Sequence, residues 1–476
     1  MKKALCVLLT ALFTLSCLAG CGGKPSDSKE PASPSSPSQE NNTPAPSTEQ
    51  RTLHIAGHTR MYPDEESYWQ ELADKFTKEN PDVKVEINWN GTFEDSIEGL
   101  QAARLAGEEI DIFSVGAKNI RGGLIQAGLC TDLTDLIAPY TDRWVDGQID
   151  GCTIDGRIWY LPMGSIGTVT FYYNKDMFDE LNLEIPQTYD ELVAVCAAIR
   201  EKKGITPILQ QGSLPTYWPM WFMETYAQTS GNRSAELTRA FLAGEYDFNT
   251  DAEVEAFRLL RQFFDDGLLD SDSLNTDADG MRAAFAQGKS AMFFGGTWEY
   301  TNAEAAVDGA FEMGVFEFPL MVEGAEVQHG SGSGQSLIVP SFCNKENYDI
   351  IMRFLEFFSR PENCADIATA AADLLPCVKG IKTETNPVYE YINTHHVNHL
   401  APYLDWIWPA ELTNIFASDI PAVMAGYMTP EQAVEDIRTN YKRMLAEGYV
   451  YKWWDEWTEE DWANVTPAYI PESYAS

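Results

Sequence analysis

Apolar residues recur with two different periods in the first third of the chain. Three short apolar or alternating runs predict strands, at 53–57, 83–87 and 111–115. Between the first two runs, apolar side chains recur at helical spacing, at Tyr68, Trp69, Leu72 and Phe76. The helix is expected to stop at 80–81, where Asn precedes Pro. This order of strand, helix and strand predicts a parallel sheet with helices on its faces.

The pattern resumes with a strand-forming run at 168–173, and helices dominate the chain beyond it. Thr188 and Glu191 have the spacing of a capping box, so a helix is predicted to begin there. Its apolar stripe is Leu192, Val195, Cys196 and Ile199, and a later stripe is Val254, Phe257, Leu260 and Phe264. A last helix is predicted from Thr429, because Pro430 and Gln432 come after it.

The N-terminus has the pattern of a targeting segment. Lys2 and Lys3 precede an apolar run at 4–18 that is short for a bilayer crossing, and Leu-Ala-Gly-Cys stands at 18–21. This resembles a bacterial lipoprotein signal, which implies a signal peptide at 1–20 and a diacylated Cys21. Residues 21–50 are rich in Pro, Ser, Thr and Asn, and predict a disordered tether that holds the body on the order of 30 Å from the membrane.

Composition narrows the class of protein. A chain of 476 residues with 44% hydrophobic residues is expected to fold as two lobes rather than one core. The formal net charge of −39 opposes binding to nucleic acid and to anionic lipid headgroups. The body contains six cysteines, whose pairing the sequence leaves undecided, at Cys130, Cys152, Cys196, Cys343, Cys364 and Cys377.

Four segments in a fixed order resemble the family 1 extracellular solute-binding proteins, the sugar-binding group that includes maltose-binding protein. They are 76–85, 155–162, 173–178 and, most diagnostic, 285–298, which reads Phe-Ala-Gln-Gly-Lys-Ser-Ala-Met-Phe-Phe-Gly-Gly-Thr-Trp. The resemblance extends over nearly the whole body. It implies an α/β fold of the type II periplasmic-binding-protein kind, with two lobes joined by a hinge and a ligand cleft between them.

The resemblance also implies where the lobes begin and end. Lobe 1 is expected to comprise 51–163 and 336–380, and lobe 2 to comprise 164–335 and 381–476. The chain would cross between them near 163–165, 330–335 and 378–383. A bound solute would bridge both lobes and stabilise the closed form, which a permease then recognises.

Candidate ligand-binding residues are aromatic in lobe 2 and polar in lobe 1. Trp298 comes after Gly295 and Gly296, where the family commonly stacks a ring on a sugar. Four further rings lie in proline-interrupted clusters, at Trp218, Trp221, Trp406 and Trp408. The lobe 1 candidates come after predicted strands and are Arg60, Tyr62, Lys118 and Asn119. The alternatives are simple packing for the rings and surface ion pairing for the cations.

Together these features predict a binding protein, without a cofactor or a metal, rather than an enzyme. The expected role is the monomeric, lipid-anchored extracellular component of an ABC importer. It would capture a carbohydrate, in particular an oligosaccharide, for the permease. The alternatives are a secreted carbohydrate-active enzyme, a receptor for a non-sugar solute, and a metal-capturing protein using His395, His396 and His399.

One further motif resembles the start of a calcium-binding loop. Asn275, Asp277, Asp279 and Gly280 have the loop's spacing, but Ala286 stands where its bidentate Glu belongs. Weak calcium binding near Asp277 therefore stays open at the level of sequence.

Overall fold

The structure is a computed structural model. It describes residues 50–57, 65–89, 96–116, 120–125, 127–144, 148–154, 156–163, 166–333, 335–370, 377–381, 387–396 and 399–449. Residues 49–476 form one compact unit. Cys21, the signal peptide and nearly all of the predicted tether lie outside the described residues.

Thirteen strands occur in the described residues. In chain order they are β1 Arg51–Gly57, β2 Val83–Trp89, β3 Ile112–Gly116, β4 Thr153–Ile154, β5 Arg157–Ile158, β6 Leu161–Pro162, β7 Ile166–Asn174, β8 Thr206–Ile208, β9 Ser290–Gly296, β10 Met313–Phe316, β11 His329–Ser333, β12 Gln335–Ile338 and β13 Leu400–Pro402.

The α-helices of the described residues lie between and after these strands. They are Glu65–Glu79, Ser96–Ala106, Thr134–Ile137, Gln148–Cys152, Lys175–Leu181, Tyr189–Lys203, Trp218–Thr229, Ser234–Leu242, Asp251–Asp265, Ala278–Ala286, Tyr300–Val307, Tyr348–Phe358, Pro361–Ala370, Pro387–Tyr391, Ala410–Met424 and Pro430–Ala446. Short 3-10 or π turns lie between them, including Pro215–Tyr217, Thr297–Glu299, Ile392–His396 and Leu404–Trp406.

The first sheet has the strand order β2-β1-β3-β12-β6. β1 pairs in parallel with β2 along seven residues and with β3 from Ile55 onward. β12 is antiparallel to both β3 and β6. This sheet defines lobe 1, and its core joins early and late parts of the chain. For example, Phe76 contacts Phe354 edge to face, with ring centroids 5.1 Å apart.

The second sheet has the order β13-β11-β7-β9-β8 and defines lobe 2. One edge of β7 pairs with β9, and the other pairs first with β11 and then with β10. β9 is buried along its whole length, since helices cover the sheet. A second hydrophobic core, separate from that of lobe 1, packs around these strands and extends to Met444.

The chain passes from one sheet to the other between β6 and β7 and returns between β11 and β12. These two crossings lie side by side, because the Met163 amide donates a hydrogen bond of 3.0 Å to the Gln335 carbonyl. Val378 is part of the lobe 1 core, whereas Val388 packs in a cluster with β10, so a third crossing lies between them. The fold is thus the two-lobe α/β architecture that the sequence predicts.

The predicted helix starts are confirmed. Thr188 with Glu191, and Thr429 with Gln432, each form a complete capping box. The stripe predicted for residues 254–264 is displaced: Phe257 and Leu260 are buried, but Val254 and Phe264 only flank the core. The reason is the buried Glu253, which accepts hydrogen bonds from the hydroxyls of Tyr226 (2.6 Å) and Tyr246 (2.7 Å) and turns its own face of the helix inward.

All six cysteines of the body are buried, and none forms a disulfide bond within the described residues. Cys196 lies in the lobe 2 core, and the other five lie in the lobe 1 core. Burial raises the pKa of the Cys130, Cys196 and Cys364 thiols, and it raises the pKa of Cys343 and of Cys377 to about 12. The sequence left the pairing of these cysteines open. In the described residues of the structure they are thiols rather than disulfides.

Candidate functional site

Trp298 lies directly after the buried strand β9, in the turn Thr297–Glu299. Its indole folds back over the end of the strand and is partly buried. A Cβ atom on Gly296 would lie 2.2 Å from the indole carbons. The glycine before the ring therefore makes room for the ring itself.

A chain of hydrogen bonds fixes the plane of this indole. The Trp298 Nε1 donates to the Tyr217 hydroxyl (2.8 Å), which in turn donates to Glu299 Oε1 (2.7 Å). Glu299 is buried and also accepts from Gln211 Nε2 (3.0 Å) and Arg282 Nε (2.9 Å). Burial and the Glu299 charge raise the pKa of Tyr217 well above its usual value, so this hydroxyl remains neutral and able to donate.

Two more rings continue from Trp298 toward lobe 1. Tyr403 meets Trp298 edge to face at 6.5 Å between centroids, and Trp406 lies 5.5 Å from Tyr403. Trp406 is partly buried and packs against the cores of both lobes. We call Trp298, Tyr403 and Trp406 the junction aromatics, because they lead from the end of β9 to the boundary between the lobes.

The crossing strand β11 passes beneath these rings. A Cβ atom on Gly330 would lie 2.8 Å from the Tyr403 ring, so the strand approaches the ring more closely than another residue would allow. The Tyr403 hydroxyl is buried and has no hydrogen-bond partner among the described residues. A buried hydroxyl without a partner is costly, because it gives up its hydrogen bonds to water on folding.

The other predicted rings of lobe 2 lie in its core. Trp221 is fully buried and meets Phe294 at 4.8 Å. Trp218 is also buried and donates to the Gly212 carbonyl (3.1 Å), and Trp408 stacks on Phe416 at 3.7 Å. Packing accounts for these three rings, and the structure leaves them without a free face for a ligand.

The lobe 1 candidates Arg60, Tyr62, Lys118 and Asn119 lie outside the described residues. They come after β1 and β3, which end side by side because Gly57 is paired with Ser114. The predicted lobe 1 contribution to the site therefore stays a prediction.

Sequence reasoning missed Gln211, Glu299 and Tyr403. Tyr403 has a local signal, an aromatic residue after Pro402 close to Trp406. Gln211 and Glu299 have none, since their role arises from contacts between residues 88 positions apart.

The calcium-like motif has a structural explanation. Asp277 caps the helix Ala278–Ala286 by accepting from the Gly280 amide (2.7 Å), and Asp279 pairs with Arg282 (3.0 Å). Both carboxylates already have protein partners, and we propose no calcium site there.

The class of protein is defined by comparison with known families. The family model of the bacterial extracellular solute-binding proteins matches residues 62–363, more than half of the chain. The chain belongs to this family.

Individual relatives agree with the fold. Over 397 residues the chain is 24% identical to the sn-glycerol-3-phosphate-binding periplasmic protein UgpB of Salmonella typhimurium, covering 76% of this chain and 86% of the relative. A chitin oligosaccharide binding protein has a TM-score of 0.72 at 21% identity, covering 84% of this chain and all of the other. Maltose-bound MalE3 of T. maritima has a TM-score of 0.67 at 18% identity, covering 83% and 99%.

None of the helices in the part of the chain that the structure describes is both long enough and apolar enough to cross a bilayer.

Proposed function

We propose that this protein captures a carbohydrate, in particular an oligosaccharide, between its lobes and delivers it to the permease of an ABC importer. The observation that carries the proposal is the fixed, partly buried indole of Trp298, continued by Tyr403 and Trp406 to the lobe boundary. A sugar ring presents flat C–H faces that pack on aromatic rings, and hydroxyls that need polar partners. Several solved structures of the same fold are named for oligosaccharide ligands.

The site is suited to binding rather than to reaction. The groups that orient Trp298 are a neutral tyrosine and a carboxylate whose charge Arg282 balances. Their arrangement holds one ring in place before ligand arrives, which lowers the entropy cost of binding. We infer that the chain binds its solute without chemical change.

A phosphorylated polyol is the second candidate, because the curated relatives are named for sn-glycerol 3-phosphate. A phosphate group requires cations or several N–H donors. Arg282, the cation held beside Trp298, already pairs with Glu299 (2.8 Å) and Asp279 (3.0 Å). The described residues around the rings therefore favour a neutral ligand.

A thermal-shift screen separates the two candidates. The purified protein is melted with chito-, xylo- and malto-oligosaccharides, with raffinose, and with sn-glycerol 3-phosphate. A ligand at a hundred times its Kd stabilises a protein by about 2.7 kcal/mol, which raises Tm measurably. We expect an oligosaccharide to raise Tm and to be recovered intact after incubation. A shift with sn-glycerol 3-phosphate alone, or cleavage of the sugar, would refute the proposal.

Closure of the lobes is the proposed mechanism. We propose lobe 1 as 51–163 with 336–380, and lobe 2 as 164–335 with 381–476, which is supported by the separate hydrophobic cores. Ligand that contacts both lobes favours the closed form by its greater affinity for that form. Small-angle scattering should show a smaller radius of gyration at saturating ligand, and an unchanged radius would argue against closure.

We also propose that the mature protein is a monomer anchored to the outer face of the cell membrane through diacylated Cys21. The support is the sequence at 18–21 after a charged and apolar segment. Cys21→Ala should release the protein from the membrane fraction or leave it unprocessed. Unchanged lipidation and fractionation of this variant would show that the anchor is elsewhere.

A further inference from the structure

Three potential metal ligands converge in lobe 2, and none of them belongs to the chain of hydrogen bonds that holds Trp298. Glu317 lies just after β10, His329 begins β11, and His396 ends the turn Ile392–His396. One ligand atom of each residue lies within 4.8 Å of the others. Segments far apart in sequence are thus brought together with the side chains that zinc prefers, two imidazoles and a carboxylate.

His396 is the unexplained member of this cluster. Its side chain is fully buried, and neither ring nitrogen has a hydrogen-bond partner among the described residues. The ring stacks on His329 with centroids 4.0 Å apart. Burying two ring nitrogens without partners is costly, so the position calls for a group that at least one nitrogen can bind.

His329 is already oriented as a metal ligand would be. Its Nδ1 lies 3.1 Å from Glu224 Oε2, and the other oxygen of Glu224 accepts from the Gly330 amide (3.1 Å). Its Nε2 faces Glu317 Oε1 at 3.3 Å. Metal-bound histidines commonly use one nitrogen for the metal and hold the other against a carboxylate.

We propose that Glu317, His329 and His396 bind one zinc ion, with Glu224 as the positioning residue behind His329. Two carboxylates and two neutral imidazoles balance the charge of Zn²⁺. The Glu317 side chain is 26% exposed, which gives water access to the fourth coordination position. Tetrahedral zinc–nitrogen bonds of about 2.0 Å require ligand atoms about 3.3 Å apart. His329 Nε2 and Glu317 Oε1 already have this spacing, and the His396 ring would have to rotate to reach it.

This set differs from the histidine group considered in the sequence. His395 is exposed, stacks on Tyr391 and lies 2.9 Å from the Tyr391 carbonyl through its Nδ1. His399 is exposed as well, and its backbone links His396 to His329. Only His396 of the three histidines joins the cluster, and its partners come from the sheet.

The proposed ion would tie the segment Pro387–Tyr391 and the turn after it to β11, the strand that crosses between the lobes. Its role would be structural, since all three ligands come from lobe 2. The proposal is independent of which solute binds at the junction aromatics.

The test is zinc binding by the full mature chain after removal of metal with a chelator. Zinc content after equilibrium dialysis against buffered Zn²⁺ gives the stoichiometry, and the visible spectrum with Co²⁺ reports tetrahedral coordination. We expect one ion per chain in the wild type. His396→Ala and Glu317→Gln should each weaken zinc binding by at least a hundredfold, and Glu224→Gln by about 10- to 100-fold.

His395→Ala is the matched control, since it removes an exposed histidine from the same turn and should bind zinc normally. Glu317→Gln alters a partly exposed side chain, so its effect stays interpretable if His396→Ala does not fold. Absence of stoichiometric zinc in the wild type would overturn the site, leaving His329 held by Glu224 and Glu317 alone. Equal binding by folded Glu317→Gln, or loss of binding in His395→Ala, would also overturn it.

Discussion

Two tryptophans of lobe 2, Trp221 and Trp298, have different surroundings. Trp221 is fully buried in the core and contacts the rings of Phe263 and Phe294. Trp298 keeps part of its surface free, and its N–H is held by Tyr217. The two rings thus differ in that one is fully enclosed, whereas the other is held at its polar edge and keeps part of its surface accessible, as we propose for a ligand-binding ring.

The largest expected effect is the loss of stability caused by Trp221→Ala. Removing a buried Trp leaves a cavity between Phe263 and Phe294, and such changes cost about 3–5 kcal/mol. Urea unfolding monitored by fluorescence should show this loss in the free energy of unfolding. The folded fraction should bind ligand with wild-type affinity. Wild-type stability combined with lost binding would mean that Trp221 contacts the ligand.

Trp298→Ala removes one of the junction aromatics and should reduce ligand affinity. Loss of a stacking ring should cost about 1–3 kcal/mol of binding free energy, a tenfold or larger fall in affinity. Trp298→Phe is the matched control, because it keeps an apolar ring but loses the hydrogen bond to Tyr217, and its affinity should fall between the two. Calorimetric titration measures both. If Trp298→Ala melts at a lower temperature but binds ligand normally, Trp298 is a core residue like Trp221.

A buried carboxyl group in lobe 2 makes the stability of the protein depend on pH. Asp419 is buried on the helix that carries Phe416, and burial together with the neighbouring Asp436 carboxylate raises its pKa to about 7. The folded protein therefore keeps this proton at pH values where the unfolded chain, with an ordinary pKa of 3.8, has lost it. This group should reduce stability progressively as pH rises from about 4 to about 7.

Asp419→Asn should remove that loss. Each pKa unit corresponds to about 1.4 kcal/mol, so the variant should be at least about 1 kcal/mol more stable than the wild type at pH 8. The gain should shrink toward pH 4. Asp308→Asn removes a carboxylate from an exposed helix end and is the control for the change in net charge. A gain that is constant with pH would contradict the assignment to Asp419.

The smallest expected effect is a several-fold loss of ligand affinity in Gly296→Ala, which tests whether the position of the Trp298 ring matters. Gly296→Ala leaves the backbone unstrained but places a methyl group where the Trp298 indole lies, 2.2 Å from its nearest atoms. The ring must shift, so affinity should fall several-fold with little change in Tm. Gly151→Ala meets open space in lobe 1 and serves as the control. Unchanged affinity in Gly296→Ala would show that the position of the ring is unimportant.

The fold was more predictable from sequence than the site. Strand and helix periods depend on neighbouring residues, and so β1, β2, β3 and the capped helix starts are placed as expected. The displaced stripe at 254–264 depends instead on Glu253, whose partner Tyr226 lies 27 residues away. Local patterns do not encode which polar group a distant hydroxyl will satisfy.

The same limit applies to the aromatic candidates. Trp221 comes two residues after a proline, and Trp298 comes two residues after a glycine. Neither local sequence specifies whether the ring is buried in the hydrophobic core or partly exposed. That outcome depends on Phe263 and Phe294 in one case, and on Tyr217 and Glu299 in the other. Only the folded arrangement brings these partners together.

The distribution of the buried thiols makes the molecule its own reporter of unfolding. Five thiols are enclosed by lobe 1 and one by lobe 2. A thiol reagent reaches each cysteine only when its surroundings open, and the mass of the labelled protein counts the thiols reached. A lobe 1 that opens first would add five labels in one step, and a lobe 2 that opens first would add one. The order in which the two halves lose their structure can therefore be tracked in the unaltered chain.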